Sequence, residues 1–495
     1  MSRQHADRRT FLTFLTAAGA AAALRCGTSG GGAAGDTGRS GGKNDRKVIV
    51  LGAGLAGLTA AYNLMNSRYD VIVLEGQNRV GGRVLTAREG LRDGCYAEMG
   101  AVRIFDNHEY TNRYIKRFEL PLAPYESGDR AFYLGGRRFR PPPAGRPWPI
   151  PTMSAAERAD PSAFFEPYLL SGIGRVGKVF DPGWPNAFPS ALELDKVTIG
   201  QYIRGRGASA GWLDWFQAHE GNLERVNACA GFAMESVAMG ETVSGIRGGN
   251  DRLPAAFAQA LGDRVVLGSR VVRIEQSATD VAVTYIDARG VQNQLRASHC
   301  VCALPFSTLR KVVIATPFAD DKMAAIQNLK YMAVARCYFQ TKSRFWQEDP
   351  LGRLGGLNIV GTDTFAGRIW DMSAHQPAPA VGLVHAYMVD EQALEYAAKG
   401  STRIEATRRY IEANLLPGLT QDEVVARFEK LWQDDPWVGG GWGWTQPNEM
   451  RTMFHAMRRP EGRVHFAGEH TSIYIGWMNG AIESGERAAR EVLQA

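Results

Sequence analysis

The sequence predicts an α/β protein, because a strand, a glycine turn, a helix and a second strand follow one another near its start. The apolar run 48–51 enters a turn in which Gly52, Gly54 and Gly57 have the spacing G-x-G-x-x-G. A helical pattern follows, and then a second apolar run that ends in Glu75. These parts, in this order, are typical of a Rossmann-like domain that binds a dinucleotide.

Each residue of this turn has a physical task. Gly52 permits the tight turn, Gly54 lets the backbone approach a pyrophosphate, and Gly57 lets the helix pack closely on the strand. The helix N-terminus offers free N–H groups to the phosphates. Glu75 is placed to accept hydrogen bonds from a ribose with free hydroxyls, which disfavours NADP. The residues predicted here to bind the cofactor are Gly52, Ala53, Gly54, Leu55, Ala56, Gly57, Glu75 and Gly76.

The glycine turn does not distinguish NAD from FAD, but the residues after Glu75 do. Gly81 and Gly82 let the chain pass close to a phosphate, and Arg83 can pair with it through two hydrogen bonds. Together with Glu75, this run resembles the flavin amine oxidase family. The resemblance implies that FAD is the bound dinucleotide, with Gly82 and Arg83 among its contacts.

Length and charge set the broad class. A chain of 495 residues predicts two or three domains, and 45% hydrophobic with 22% charged residues is ordinary for a globular protein. The net charge of +6 is concentrated in residues 1–44, which hold six Lys or Arg and two Asp. The remainder shows no basic signature of nucleic-acid binding. Cys300 and Cys302 are neighbours on one face of a strand pattern, so we expect free thiols.

The first 26 residues have the pattern of an export signal. Arg8 and Arg9 precede an apolar, alanine-rich run too short for a confident membrane span, and the paired arginines suggest the Tat route, hence a periplasmic or secreted protein. Residues 27–44 contain eight glycines and predict a flexible linker. A disordered basic tail without an export role is the alternative. Arg25 does not fit lipidation of Cys26, which the sequence leaves undecided.

The remaining pattern predicts a discontinuous cofactor domain, because its first and last segments both carry cofactor motifs. We predict strands at 265–267, 271–274 and 280–285, a helix at 403–414 and a C-terminal helix from about Asn479 to Leu493. Residues 134–151 are predicted to be an exposed loop rich in Pro and Arg. We assign residues 45–104, 240–312 and 455–495 to the FAD-binding domain. The α+β substrate-binding domain is assigned residues 105–154 and 313–454, and the inserted helical lobe is assigned residues 155–239.

The closing segment carries the second part of the resemblance. Residues 466–469 and 476–485 are similar to the C-terminal flavin motif of amine and amino-acid oxidases. The resemblance implies that Glu469 holds the ribityl or pyrophosphate region, that the backbone of Trp477 and Met478 meets the flavin, and that Val271 presents backbone to the adenine. A helix-capping role for Glu469 is the alternative.

Within the family, the substrate is predicted from Gly100, Ala101, Val102 and Arg103. This run resembles the G-x-x-R of L-amino-acid oxidases, whose arginine binds the substrate α-carboxylate and whose backbone lies at the cofactor. A planar guanidinium suits a carboxylate, because it donates two parallel hydrogen bonds. A surface arginine at a strand end is the alternative for Arg103.

Three further positions follow from the resemblance. Gly441 stands where covalent monoamine oxidases have a cysteine, so FAD is expected to be non-covalent. Trp442 and Trp477 match the two aromatic positions that flank the substrate amine, and the Gly476 carbonyl would accept a hydrogen bond from it. Arg336 replaces the usual lysine that holds a water near flavin N5, and Lys330 is a nearby substitute. The predicted catalytic residues are Arg336, Trp442 and Trp477.

The resemblance implies an L-amino-acid oxidase that transfers hydride from substrate Cα to the flavin and yields a 2-oxo acid, ammonia and hydrogen peroxide. The abundant aromatics favour a bulky apolar or aromatic side chain. No metal is expected, and His219 is expected on a helix surface, although a base role is open. A homodimer is expected by resemblance. Alternatives are a monoamine oxidase, an amino-acid 2-monooxygenase, a NAD-dependent dehydrogenase and a flavin-bearing binding protein.

Overall fold

A computed structural model describes residues 46–220 and 224–495 of the chain. The predicted export signal and linker therefore lie outside the described residues. Within the described part, no helix is both long and apolar enough to cross a membrane.

The cofactor-binding domain is built on a five-stranded parallel sheet. Strands Lys47–Leu51 and Asp70–Leu74 lie side by side, as the strand–turn–helix–strand pattern predicts. Distant segments extend the sheet on both sides, so three stretches of chain build it. The strands are, in spatial order, Val265–Val266, Asp70–Leu74, Lys47–Leu51, His299–Cys302 and Val464–Phe466.

Both faces of this sheet are covered, as a parallel sheet requires. One face packs against helices Leu55–Asn66, Arg252–Leu261 and Met478–Gln494 around buried Leu58, Phe257 and Ile482. The other face packs through Phe306 and Phe466 on a four-stranded sheet. The strands of that second layer are Gln292–Ala297, Val281–Ile286, Arg270–Gln276 and Val313–Ile314.

The substrate-binding domain contains a seven-stranded mixed sheet. Its long central strands Val334–Thr341 and Gly382–Val389 are buried along their whole length, because helices Glu391–Ala398 and Arg403–Asn414 cover one side. The predicted helix 403–414 is confirmed at both ends. In spatial order the strands are Val424–Leu431, Val334–Thr341, Gly382–Val389, Arg368–Asp371, Asn358–Thr362, Ala131–Leu134 and Arg137–Phe139.

The helical lobe lies on the other side of that sheet. Aromatic side chains fill the boundary, with Trp212 and Phe232 of the lobe in one buried cluster with Phe132, Tyr338 and Trp370 of the sheet. The helices of the lobe are Ala155–Ala159, Pro161–Phe164, Glu166–Leu170, Ser171–Ile173, Pro189–Asp195, Ile199–Gly205, Ala210–Glu220 and Ala228–Ala238.

The remaining elements are short connections. Two-stranded pairs join Thr86–Ala87 with Ala97–Glu98 and Lys330–Tyr331 with Gly443–Trp444. A three-stranded sheet contains Ile104–Phe105, Val243–Ile246 and Leu122–Pro124. The other helical segments are Glu109–Arg117, Gly262–Arg264, Phe306–Leu309, Asp320–Asn328, Phe345–Glu348, Gly400–Thr402, Met450–Arg458 and Glu469–Thr471.

The prediction that residues 134–151 form one exposed loop is wrong. Strand Arg137–Phe139 pairs with Ala131–Leu134 in a hairpin at the sheet edge. Ile150 is buried, and Trp148 packs edge-on against Phe132 and Trp215. The many Pro and Arg residues in this segment favoured the prediction of a loop. The burial of Trp148 depends on aromatic partners that are distant in sequence, so the local pattern did not predict it. Cys300 and Cys302 are both buried free thiols, as expected.

A buried histidine pair lies at the start of two strands of the parallel sheet. The Nδ1 atom of His299 is 3.2 Å from the Nε2 atom of His465. The Nδ1 atom of His465 lies 3.4 Å from a carboxylate oxygen of Glu491. Burial, followed by the nearby charges of His465 and Arg463, lowers the pKa of His299 to about 4. The folded protein therefore holds His299 neutral in mildly acidic solution.

We expect this histidine to make the free energy of unfolding fall as the pH decreases from about 6.5 to about 4. In that window His299 binds a proton in the unfolded chain but stays neutral in the folded protein. It therefore lowers the free energy of unfolding by at most about 1.4 kcal/mol for each pH unit. Above about pH 6.5 the His299 imidazole is neutral in both the folded and the unfolded chain, so it does not change the free energy of unfolding with pH. Urea unfolding of the wild type and His299→Asn at several pH values measures this, and equal slopes for the two proteins would contradict it.

Candidate active site

The first of two adjoining cavities follows the carboxyl ends of the parallel strands. It has a volume of about 220 Å³ and is lined by the glycine turn, by Gly81, Gly82 and Arg83, and by the start of the C-terminal helix. The turn is shaped for a ligand, because a Cβ built on Gly54 would meet no protein atom within 4 Å. Helix Leu55–Asn66 starts there with no side-chain cap, so its first N–H groups remain available to a pyrophosphate.

Glu75 lines this cavity and also shapes the turn. Its Oε2 accepts a hydrogen bond of 2.7 Å from the Ala53 N–H, and its Oε1 accepts one of 2.9 Å from the Gln77 N–H. Burial raises the pKa of Glu75, and these backbone donors oppose the rise. The carboxyl group therefore lies just after the end of strand Asp70–Leu74, on the wall of the cavity where a ribose would bind.

An ion pair connects the two sequence motifs. The Arg83 Nη1 donates to Glu469 Oε1 at 2.6 Å and to the Gly441 carbonyl at 3.0 Å. Glu469 also accepts hydrogen bonds from the N–H groups of Gly443 at 3.1 Å and Gly476 at 2.9 Å. Its carboxylate thus ties together three loops at the cavity wall, rather than capping the helix that follows.

The second cavity lies between the helical lobe and the seven-stranded sheet and has a volume of about 210 Å³. The lobe supplies an apolar wall of Leu169, Ile173, Ile199, Phe216 and Phe232. The two cavities share six lining residues, so they meet at one place in the molecule. The shared residues are Arg83, Ala101, Gly441, Gly476, Trp477 and Met478.

Arg103 lies on the wall of the second cavity, close to this junction. Its guanidinium carbon is 5.2 Å from the ring centroid of Trp477, 5.7 Å from that of Trp370 and 5.9 Å from that of Phe105. The faces of these aromatic rings attract a cation and so help to fix the guanidinium in the cavity wall. Arg103 is therefore half-buried in a cavity wall, directly before strand Ile104–Phe105.

Trp442 and Trp477 also line the second cavity. Trp477 donates from Nε1 to the sulfur of Met234 at 3.2 Å, and its ring lies 5.0 Å from that of His108. Burial lowers the pKa of His108 to about 4, so this imidazole is neutral at ordinary pH. Trp442 packs beside Gly476, where an added Cβ would lie 3.4 Å from Trp442 Cγ.

Arg336 enters the same cavity from the central strand Val334–Thr341. Its guanidinium carbon lies 4.6 Å above the ring of Tyr387, and its Nη1 is 3.5 Å from the Glu98 carbonyl. Its Nε is buried and has no hydrogen-bond partner among the described residues. Burial raises the pKa of the nearby Glu98 carboxyl to about 8. The Arg336 Nε is therefore a buried donor that no other described residue satisfies.

Nearly all of the site residues predicted from the sequence line one cavity or the other. The cofactor cavity is lined by Gly52, Gly54, Leu55, Ala56, Glu75, Gly76, Gly82, Arg83, Ala101, Val271, Glu469, Gly476, Trp477 and Met478. The second cavity adds Gly100, Val102, Arg103, Arg336 and Trp442.

Four predicted or suspected residues lie elsewhere. Ala53 contributes its N–H to Glu75, and Gly57 packs behind the turn, so neither lines a cavity. Lys330 is exposed and lines neither cavity, so it is not placed to substitute for Arg336. The expectation that His219 lies on a helix surface is wrong, because it is half-buried between the rings of Phe132 and Trp215.

Sequence reasoning missed several residues of the second cavity. Arg368 lies 5.4 Å from the ring of Trp370 and 5.2 Å from that of Tyr387, and all three line the cavity with Trp432 and Glu235. The alternation in strand Gly382–Val389 places Tyr387 and Val389 on one face. That signal was readable, but only the packing of the lobe opens this face to a ligand.

The fold and the site define a flavin-dependent oxidoreductase. A model of the flavin containing amine oxidoreductase family matches residues 55–493, and the chain belongs to this family. Its cofactor is FAD, and the open glycine turn, the uncapped helix and Glu75 fit an adenine dinucleotide.

Known proteins of this family resemble the whole described chain. An L-amino-acid oxidase of Bothrops atrox is 26% identical over 482 residues, covering 91% of this chain and 89% of that protein. An L-amino-acid oxidase of Naja atra is 28% identical over 475 residues, covering 91% of this chain and 89% of that protein.

Solved structures share the fold. A cyclohexylamine oxidase from Brevibacterium oxydans IH-35A superimposes with a TM-score of 0.77 and is 21% identical, covering 91% of this chain and 99% of that one. A wild-type putrescine oxidase bound to putrescine has a TM-score of 0.77, is 20% identical and covers the same shares.

Proposed function

We propose that this protein is an FAD-dependent L-amino-acid oxidase. The overall reaction converts an L-amino acid, O2 and water to a 2-oxo acid, ammonia and hydrogen peroxide. The observation that carries the proposal is Arg103, a guanidinium on the wall of the substrate cavity beside the junction with the cofactor cavity. A simple amine has no group that would use this cation, whereas an α-carboxylate does.

The geometry supports a defined position for the substrate. Arg103 would bind the α-carboxylate through two parallel hydrogen bonds, and the Gly476 carbonyl at the cavity junction would accept one from the amine. Trp442 and Trp477 would shield the neutral amine from water. FAD, when bound, supplies the two-electron oxidation of the Cα–N bond and the reaction with O2. The protein's task is to hold Cα at the junction of the cavities.

Arg336 is proposed to hold a water in the position where relatives of this kind use a lysine. Arg336 lines the substrate cavity, and the Tyr387 ring fixes its guanidinium. An arginine stays cationic through the working range of pH, so it can position this water but cannot deprotonate to take part as a base.

The apolar wall from the helical lobe favours a bulky apolar or aromatic substrate side chain. Leu169, Ile173, Ile199, Phe216 and Phe232 offer no hydrogen-bonding group to a polar side chain. A small side chain would leave part of this wall in contact with water, and so would gain less from burial.

We propose that the flavin is held non-covalently, since residue 441 at the cavity junction is glycine and offers no side chain to the cofactor. Acid precipitation should therefore leave the yellow flavin in the supernatant, as absorbance measures. Colour retained in the washed protein pellet would contradict this.

Export by the Tat route fits the same proposal, because that route carries folded proteins with their cofactor in place. It rests on the sequence alone, namely Arg8, Arg9 and the apolar run after them, since those residues lie outside the described part of the chain. A homodimer is proposed only on the resemblance to the family.

A peroxide-coupled assay tests the proposed activity. Flavin-loaded protein is given L-amino acids, the matching D-amino acids, and the amines that lack only the carboxylate. We expect peroxide and ammonia in equal amounts with bulky L-amino acids, and little with the other two sets. Preferred oxidation of amines would favour a monoamine oxidase, and an amide product without peroxide would favour a monooxygenase.

A further inference from the structure

Two half-buried methionines face the substrate cavity. Helix Ala228–Ala238 carries Met234, whose sulfur accepts the Trp477 indole N–H at 3.2 Å, and Met239 follows the end of the helix. Both side chains line the cavity beside Trp477. Among the described methionines only Met65 and Met323 are similarly half-buried, and neither lines either cavity.

We propose that Met234, with Met239 beside it, is a site of oxidation by the hydrogen peroxide that the protein makes. This rests on the proposed function, which supplies the oxidant. The sulfur lone pair attacks one peroxide oxygen, the O–O bond breaks, and the other oxygen leaves as water after proton transfer. Sulfur loses two electrons to become a sulfoxide, and peroxide gains them.

Proximity makes Met234 a selective target. Peroxide formed at the junction of the cavities reaches this sulfur before it mixes with bulk solution, so its local concentration is highest there. Met65 and Met323 meet only peroxide that has already left the protein. The Trp477 hydrogen bond occupies one lone pair of the Met234 sulfur and leaves the other for reaction.

Oxidation changes the wall beside the substrate. A sulfoxide is polar, adds an oxygen atom and accepts hydrogen bonds more strongly than a thioether. The Trp477 indole, which donates to this sulfur, would therefore be drawn to a new position. Because Trp477 lies 5.2 Å from the Arg103 guanidinium carbon, both proposed contacts to the amino acid would shift. Activity would then decline with the number of turnovers rather than with time.

The test follows each methionine by peptide mass spectrometry during turnover. Holoenzyme turns over its best amino acid with excess catalase, which destroys peroxide in bulk solution. We expect sulfoxide to accumulate at Met234 and Met239 in proportion to turnovers, while Met65 and Met323 remain reduced. Met234→Leu should lose its own initial rate about threefold more slowly per turnover, because leucine has no sulfur to oxidise. The matched variant Met323→Leu should decay like the wild type.

Three results would overturn this inference alone. Equal oxidation at all four methionines, or protection of all four by catalase, would show that only bulk peroxide acts. Peroxide production with Met234 and Met239 still reduced would defeat this inference and leave the proposed function intact. Absence of peroxide with every amine and amino acid would instead remove both. Recovery of activity by methionine sulfoxide reductase would add support, because that enzyme reverses this modification alone.

Discussion

Arg103→Gln should lower kcat/KM for L-amino acids by about 10²–10³-fold. The substitution removes a bidentate charged hydrogen bond at a partly desolvated site and leaves the carboxylate without its partner, a loss of about 3–4 kcal/mol. A factor of ten corresponds to about 1.4 kcal/mol. Steady-state kinetics with one amino acid and with the amine lacking its carboxylate measure the effect.

The amine provides the internal control, because it never uses the guanidinium. Its kcat/KM should be unchanged or higher in the variant, since the positive charge of the guanidinium no longer lies near a neutral ligand. Bound flavin and the thermal midpoint should stay near the wild-type values, because glutamine keeps a planar polar group beside the same three rings. Equal losses with amine and amino acid would show that Arg103 acts on the structure of the site rather than on the carboxylate.

Gly57→Ala should abolish flavin binding and destabilise the apoprotein, whereas Gly54→Ala should affect flavin binding alone. A Cβ on Gly57 would lie 2.0 Å from the Gly52 carbonyl oxygen, so helix and turn would have to separate, at a cost of about 1–3 kcal/mol or more. A Cβ on Gly54 would meet no protein atom within 4 Å, and its φ of −73° is open to any residue. That empty space is where the pyrophosphate is expected.

Flavin absorbance per protein and the thermal midpoint of each apoprotein separate the two effects. Both variants should purify with little flavin, but only Gly57→Ala should lower the midpoint of the apoprotein. Full flavin occupancy in Gly54→Ala would mean that the cofactor does not approach this turn closely, and the assignment of the cavity would fail.

Much of the cofactor site was predictable because it is local in sequence. The glycine turn, the adjoining strands and Glu75 lie within one short segment, and their hydrogen bonds depend mainly on that segment. The predicted strand at 271–274 is confirmed within Arg270–Gln276, and the C-terminal helix within Met478–Gln494. Boundaries moved by one or two residues, which is the ordinary fraying of such patterns.

The substrate cavity was less predictable because its walls come from distant segments. Arg103 and Trp477 were predicted from local motifs, yet Arg368, Tyr387 and Met234 were not. Each of them lies in an element whose pattern shows only that the element is largely buried. Whether a face of such an element meets a core or a cavity depends on the element packed against it, and no local pattern records that.

The sequence by itself therefore determined the cofactor class and the parallel sheet that carries it, since a glycine turn, a helix start and an acid at fixed spacing meet one physical need. The tertiary structure decided the surroundings of Arg103. Around Arg103 lie the rings of Trp370 and Trp477, the apolar wall of the lobe, and the arginines Arg336 and Arg368. These groups meet only after three separate segments have folded together. Long-range packing, and not local propensity, places those groups around one cavity.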